Sequence, residues 1–310
     1  MSGKSGKARV KVPASTSNLG GGFDCIGVAV DRWLTASVSV SDAGEASRVT
    51  IKRTGAVAGL ALAAEEDLLH LGFTLACEER SHAIPKRVDY EVGSTIPVAR
   101  GLGASAAALI AGTLLANEAL ALGLSREEIA AICAREEGHP DNIGPAIFGG
   151  AVLSITTANG YAFESLRTHP EIALIFTVPE LEIETAAARA VLPPSLPFGT
   201  AVAAVAKAAA LVEGLSSGDA KLLAYALDDV VHVPFRRALI PGYDSVVAAA
   251  ISAGAFGATL SGSGSTMVAV APTSIAARVG SAMRGAWSKV GQAAEVIIEA
   301  KSVEGAASGR

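Results

Sequence analysis

Short apolar runs bounded by turn residues predict strands at residues 8–13, 49–53, 87–92, 151–155, 172–178 and 295–300, with one or two more over residues 26–40. Longer Ala- and Leu-rich stretches predict helices at residues 67–79, 104–122, 184–192, 199–213, 219–231, 243–253 and 274–289. One further helix is marked at both ends. Ser125 and Glu128 form a capping-box pattern, Ile129, Ile132 and Cys133 supply an apolar stripe, and Gly138 with Pro140 ends the run near residue 137. Residues 257–268 read as two strands joined by a Gly/Ser turn, a hairpin. Ala158-Asn159-Gly160 is also hairpin-like, and the composition shifts there. This predicts two domains, residues 1–157 and 158–310.

Half of the 310 residues are apolar, much of that alanine. Such a composition favours Ala-rich helices packed on sheets. The net charge of −5, with no basic stripe, argues against nucleic acid as a partner. The long run at 104–122 is interrupted by Ser105, Asn117 and Glu118, so no membrane span is expected. The first nine residues lack an apolar core segment and read as a loose tail, as does the chain after Lys301. Cys25, Cys77 and Cys133 are odd in number and lack metal spacing, which favours a reduced, cytoplasmic setting.

The loop at residues 97–106 joins a strand to the helix after it. Gly101 and Gly103 there allow unusual backbone angles and close approach to a ligand. The first N–H groups of the following helix are unpaired and favour phosphate. On that reading Gly103→Val removes binding of the phosphate ligand and leaves the melting temperature nearly unchanged. Ser105 adds a hydroxyl within reach of a metal on the phosphates. A Walker A loop is excluded because no Lys follows Gly103. Gly101-x-Gly103-x-x-Ala106 fits a dinucleotide fingerprint, but it sits a third of the way along the chain and the nearest acid, Glu118, lies inside the helix. A turn before a helix is the plain alternative.

Other polar clusters stand at chain breaks. Asn18 and Asp24 bracket Gly20-Gly21-Gly22 and point to a shared cleft, or else to a polar turn. Glu136 and Glu137 put negative charge at a helix C-terminus, which calls for a compensating cation. In His139-Pro140-Asp141-Asn142, His139 reads as a structural contact to backbone. Arg236 and Arg237 beside Pro234 and Phe235 suit an anion, or a solvated surface.

Three Gly-rich segments in this order, residues 13–24, 97–106 and 261–266, resemble the GHMP kinase family over nearly the whole chain. Within it the resemblance is to the branch that phosphorylates L-homoserine. It is carried by residues 18–24, Glu137-Gly138-His139-Pro140-Asp141-Asn142, Thr185 with residues 189–193, and residues 232–236 with 239–242. The resemblance implies an α+β, two-domain GHMP kinase-like fold, with mixed sheets packed with Ala-rich helices. Residues 1–157 would be the nucleotide-binding domain and 158–310 the substrate side. It implies transfer of the ATP γ-phosphate to the side-chain hydroxyl of L-homoserine, giving O-phospho-L-homoserine in threonine biosynthesis, with Mg2+. By carry-over, Pro97, Arg100, Gly101, Leu102, Gly103, Ala104, Ser105 and Ala106 hold the phosphates. Ser105 and Glu137 ligate the metal, Glu136 being the alternative. Asn18, Asp24, Asp141 and Asn142 surround the amino acid, Asp141 and Asn142 orienting its hydroxyl. Thr185, Arg189 and Arg236 hold its other end, the arginines on the carboxylate. Ala104 departs from a family pattern of two serines. Competing readings are a GHMP kinase for a sugar or isoprenoid precursor, a nicotinamide-dependent oxidoreductase, and a non-catalytic sensor. The oligomeric state is left open, a homodimer included.

Overall fold

The computed structural model describes residues 5–43 and 46–309. Residues 1–4 of the expected tail lie outside them. The first half runs β1 (Ser5–Ser17), β2 (Ile26–Ser41), β3 (Arg48–Gly55), α1 (Leu68–Glu79), β4 (Arg87–Ser94), α2 (Ala104–Leu120), α3 (Arg126–Glu137), α4 (Ile143–Phe148), β5 (Ala151–Thr157) and β6 (Gly160–Leu166). The second runs β7 (Ile172–Pro179), α5 (Thr185–Ala190), α6 (Phe198–Ser217), α7 (Ala220–Leu227), α8 (Val233–Arg236), α9 (Tyr243–Ser252), β8 (Gly257–Leu260), β9 (Met267–Pro272), α10 (Ala276–Lys289), β10 (Ala294–Glu299) and β11 (Ala307–Gly309).

Among the described residues the strands form two sheets. The first has the order β11-β1-β2-β4-β3, with β5 on the early half of β2 and β6 on β5. Its β3–β4 pair is parallel and the rest are antiparallel. The second has the order β10-β7-β9-β8, all antiparallel. The β8–β9 hairpin is the one expected at 257–268.

Side-chain alternation divides the second sheet between two cores. Ile172, Leu174, Phe176 and Val178 of β7 join the large core shared with the first sheet, while Ala173 and Ile175 face a smaller one. In β9, Val268 and Val270 face the large core, and Met267, Ala269 and Ala271 the small one. A strand apolar on both faces must be covered on both. Helices α9 and α10 contribute Val246, Ala250, Val279, Met283 and Trp287 to the smaller core. The same logic buries α2, whose residues from Leu109 to Ala116 are all buried, as an all-apolar helix requires.

Both expected loose ends are corrected. From Ser5 onward the N-terminus is strand, paired with β2 in a register that sets Ser5 opposite Ser41. A Cβ on Gly6 would overlap the Ala119 carbonyl, so glycine lets the strand lie against the end of α2. At the other end β11 pairs with β1, Glu304 bridges to Gly149, and the Ala306 N–H binds the Ala146 carbonyl. The turn at 157–160 closes a hairpin inside the first sheet, and the chain passes to the second sheet only between β6 and β7. Helix α6 spans 20 residues and contains an 18-residue stretch with a mean hydropathy of 1.5, long and apolar enough by composition to cross a membrane. It carries Lys207, whose ammonium binds the Tyr225 carbonyl and the Asp228 carboxylate of the α7 segment.

Candidate active site

One cleft gathers the Gly-rich segments. It is lined by the end of β1, the loop before α2, the start of α2, the end of α3, the start of α5, Arg236 of α8 and the loop after β8. Local sequence builds these ends. Ser125 and Glu128 make the reciprocal capping box of α3, and Gly138 ends that helix in the left-handed region at φ 79°. Asp67 caps α1 by accepting from the Leu69 N–H.

In the loop before α2, Pro97, Arg100, Gly101, Leu102, Gly103, Ala104 and Ser105 all line the cleft. Ala106 does not; it is fully buried in the core. The first intrahelical acceptance in α2 is Ala107 N–H to the Gly103 carbonyl, so the N–H groups of Ala104, Ser105 and Ala106 stand at the open helix end. The Arg100 guanidinium is turned away, to the Pro179 carbonyl and Glu182.

Gly101 and Gly103 have φ of 72° and 67°, as their expected freedom requires. Their bare Cα atoms face protein. A Cβ on Gly101 would overlap the Ser261 carbonyl, and one on Gly103 the Ser15 hydroxyl. The Ser-rich third loop is therefore a buttress of the loop before α2. Ser261 Oγ lies 2.7 Å from the Gly101 carbonyl and 2.8 Å from Thr16 Oγ1, and Gly262 N–H binds the Ser17 carbonyl. This changes the outcome for Gly103→Val. A branched residue in the left-handed region costs about 1–2 kcal/mol or more before any overlap. Calorimetry should show a lower melting temperature alongside lost ATP binding by titration; a variant that melts like wild type yet fails to bind would restore the direct ligand-approach role.

Ser105 and Glu137 meet: Ser105 Oγ donates to Glu137 Oε1 at 2.7 Å. Glu136 is exposed beside Arg135 and Glu79, outside the cleft. Among the described residues no three His, Cys, Asp or Glu converge as a metal cluster. One carboxylate and one hydroxyl suit an ion that takes its remaining oxygens from phosphates and water, as Mg2+ does.

Across the cleft, Arg189 on its wall forms a two-pronged pair at 2.8 and 3.2 Å with Asp24, which lies behind the lining; each side chain is about a third exposed. Asn18, at φ 58°, closes the turn from residue 18 to residue 24 by accepting the Asp24 N–H at 2.8 Å. Asn142 accepts from Ser15 Oγ at 2.9 Å and donates to Ser17 Oγ at 3.1 Å, which fixes its amide orientation. Thr185 opens α5 on the cleft wall. Asp141 is 1% exposed and sits behind His139, whose Nδ1 lies 3.0 Å from Asp141 Oδ1. The expected backbone contact of His139 is thus replaced by a carboxylate contact. Burial lowers the His139 pKa, but the Asp141 hydrogen bond and charge, with Glu137, outweigh it and leave it raised.

Arg236 is 1% exposed, not solvated, while Arg237 is exposed near Asp244. Its Nε–H donates to the Ala188 carbonyl at 2.9 Å and its Nη1 to the Gly262 carbonyl at 3.2 Å. Among the described residues it has no carboxylate within ion-pair distance. Burial first, then the charge of Arg189, lowers its pKa. A buried guanidinium without an ion-pair partner, on the wall of a cleft, is prepared for an anion.

The GHMP kinases N terminal domain matches residues 56–150 and the GHMP kinases C terminal domain residues 201–289. The homoserine kinase of Trichormus variabilis is 39% identical over 298 residues, covering 96% of this chain and 97% of that one. The chain belongs to the homoserine kinase branch of the GHMP kinase family. A homoserine kinase from Gloeobacter violaceus is 39% identical over 90% of this chain and 92% of its own. The crystal structure of the homoserine kinase from Cytophaga hutchinsonii superposes with a TM-score of 0.86 at 28% identity, covering 98% of this chain and 97% of that chain. A mevalonate kinase from L. major shares the GHMP fold at a TM-score of 0.65, 16% identity and 96% coverage of each chain. Among motif residues of this GHMP kinase that the sequence reading left without a role, His232 and Phe23 stack at 5.0 Å beneath Arg236. The available signal was the spacing of His232 and Arg236, four apart and so on one helix face.

Proposed function

We propose that this cleft transfers the γ-phosphoryl group of ATP to the side-chain hydroxyl of L-homoserine, giving O-phospho-L-homoserine and ADP, a step of threonine biosynthesis. The observation that carries this reading is the buried, unpaired Arg236 on the wall of the cleft that also holds the phosphate loop. Phosphoryl transfer needs positioning and charge stabilisation more than covalent help from the protein. The open end of α2 and the loop before it receive the phosphates. Val57, Leu60 and Leu62, from the segment between β3 and α1, also line the cleft, and this apolar group seats the adenine.

The donor set of Ser105 and Glu137 suits Mg2+, which when bound neutralises charge on the transferring phosphoryl group. The substrate lies between Asn142 and the arginines. Arg236 takes its carboxylate, with Arg189 beside it, and Asp24 and Asp141 supply negative potential for its ammonium. Asn142, its amide fixed by Ser15 and Ser17, orients the hydroxyl; Asp141 acts through His139. The hydroxyl oxygen bonds to the γ-phosphorus, the bond from that phosphorus to the β-phosphate oxygen breaks with its electron pair left on ADP, and the hydroxyl proton passes to solvent. Thr185 completes the wall at the carboxylate end.

A coupled ADP-release assay tests this. L-Homoserine should turn over, and galactose and mevalonate should not; mevalonate has a carboxylate but no ammonium for the acids. ATP should bind and NAD should not. Equal turnover of mevalonate and homoserine would overturn the substrate assignment.

A further inference from the structure

His232 is fully buried, and the motifs of phosphoryl transfer make no use of it. Its two ring nitrogens face different halves of the substrate end. Nδ1 lies 3.4 Å from Arg236 Nη1, and Nε2 lies 3.3 Å from the Asn18 carbonyl oxygen. A guanidinium only donates, so Nδ1 must be the acceptor. A carbonyl only accepts, so Nε2 must carry the proton. The two contacts together select one neutral tautomer. Burial, with the Arg236 charge adding to it and Asp229 opposing, also holds the imidazole pKa well below its ordinary value.

The surroundings lock this ring. Phe23 stacks on one face. Asp229 Oδ2 accepts the N–H groups of Val231, His232 and Val233, which fixes the backbone at the start of α8. Arg236 in turn has Nε and Nη1 committed to Ala188, Gly262 and His232. Among the described residues its Nη2 has no such partner. On the other side, the Asn18 carbonyl belongs to the turn whose amide closes onto Asp24.

We propose that His232 is a positioning residue: as the Nε2–H tautomer it accepts from Arg236 and donates to the Asn18 carbonyl, and so holds the free edge of Arg236 and the Asp24 turn in one register for the two charged ends of the substrate. This rests on the assignment of Arg236 to the substrate carboxylate. The experiment therefore measures kcat/KM for L-homoserine and for its amide in wild type and in His232→Asn, His232→Gln and His232→Leu. Asn places its oxygen near the Nδ1 position, so the acceptor for Arg236 remains. Gln places its amide nitrogen near the Nε2 position, so the donor to Asn18 remains and the acceptor is lost.

The acid-to-amide preference should stay close to wild type in His232→Asn and fall about tenfold in His232→Gln and His232→Leu, the scale of one hydrogen bond to a charged group. KM for ATP should stay unchanged throughout. A purely structural role would lower the melting temperature and depress acid and amide alike. Equal preference in the Asn and Gln variants overturns the proposal, whether or not the Leu variant folds. A wild type with no acid preference fails the Arg236 assignment instead. Independently, 15N NMR of the wild-type protein at neutral pH should show the His232 proton on Nε2; a proton on Nδ1 overturns the proposal.

Discussion

Glu137→Gln is expected to lower kcat by about 100-fold and to raise the Mg2+ concentration needed for half-maximal activity. A metal ion held by Ser105 and Glu137 would contribute several kcal/mol of charge stabilisation to phosphoryl transfer, and about 1.4 kcal/mol corresponds to a factor of ten. Loss of one anionic ligand removes part of that. Gln keeps the carbonyl oxygen that accepts from Ser105 Oγ at 2.7 Å. Glu137 is only half-buried, at the end of α3. The fold should therefore survive, and the melting temperature should hardly change. Negative charge at a helix C-terminus opposes the helix dipole, so neutralising it costs the helix nothing. Glu136→Gln is the matched control, since Glu136 lies outside the cleft. Titration of activity against Mg2+ separates the two. Unchanged Mg2+ dependence in Glu137→Gln would overturn the metal assignment.

What the sequence disclosed depended on how far each residue's partner lies along the chain. The ends of α3 were legible because Ser125, Glu128 and Gly138 act within a few residues of themselves. The meeting of Ser105 with Glu137 was legible through family motifs, and the structure brings them together. The N-terminal strand was legible over residues 8–13, but its extension back to Ser5 was not, because what orders Ser5 and Gly6 is β2, a strand folded back onto them. The return of Ala307–Gly309 to β1 joins opposite ends of the chain and leaves no local trace. For Gly101 and Gly103 the positive φ was foreseeable, but the neighbours that exclude a side chain, Ser261 and Ser15, come from remote segments. Arg236 shows the same limit. Beside Pro234 and Arg237 it reads equally as a surface residue; the groups packed around it include the carbonyls of Ala188 and Gly262 and the ring of Phe23, all from remote segments.

Arg236→Ala is expected to abolish most of the discrimination between L-homoserine and its amide. Arg236 is 1% exposed, so a carboxylate at its free edge is bound away from water, where a charged hydrogen bond contributes about 1.5–3 kcal/mol. Wild type should therefore prefer the acid by roughly 10- to 100-fold, and the variant by little. The loss should fall on KM if the carboxylate is held equally in ground and transition states. It should reach kcat if that contact places the hydroxyl for attack, as remote binding contacts do. Truncation also leaves the Ala188 and Gly262 carbonyls without their donor, at about 1–3 kcal/mol for each buried group left unsatisfied. The melting temperature will fall for that reason, so the preference ratio, which cancels a uniform loss of folded enzyme, is the deciding measurement. Additive effects of the variant and the amide would mean that Arg236 does not read the carboxylate. Arg189 gives the contrast. It already shares its charge with Asp24, so Arg189→Ala frees a carboxylate beside the substrate. That carboxylate strengthens the hold on the ammonium while repelling the substrate's own carboxylate. The acid should therefore lose more than the amide, and the amide should lose least of all in Arg189→Ala.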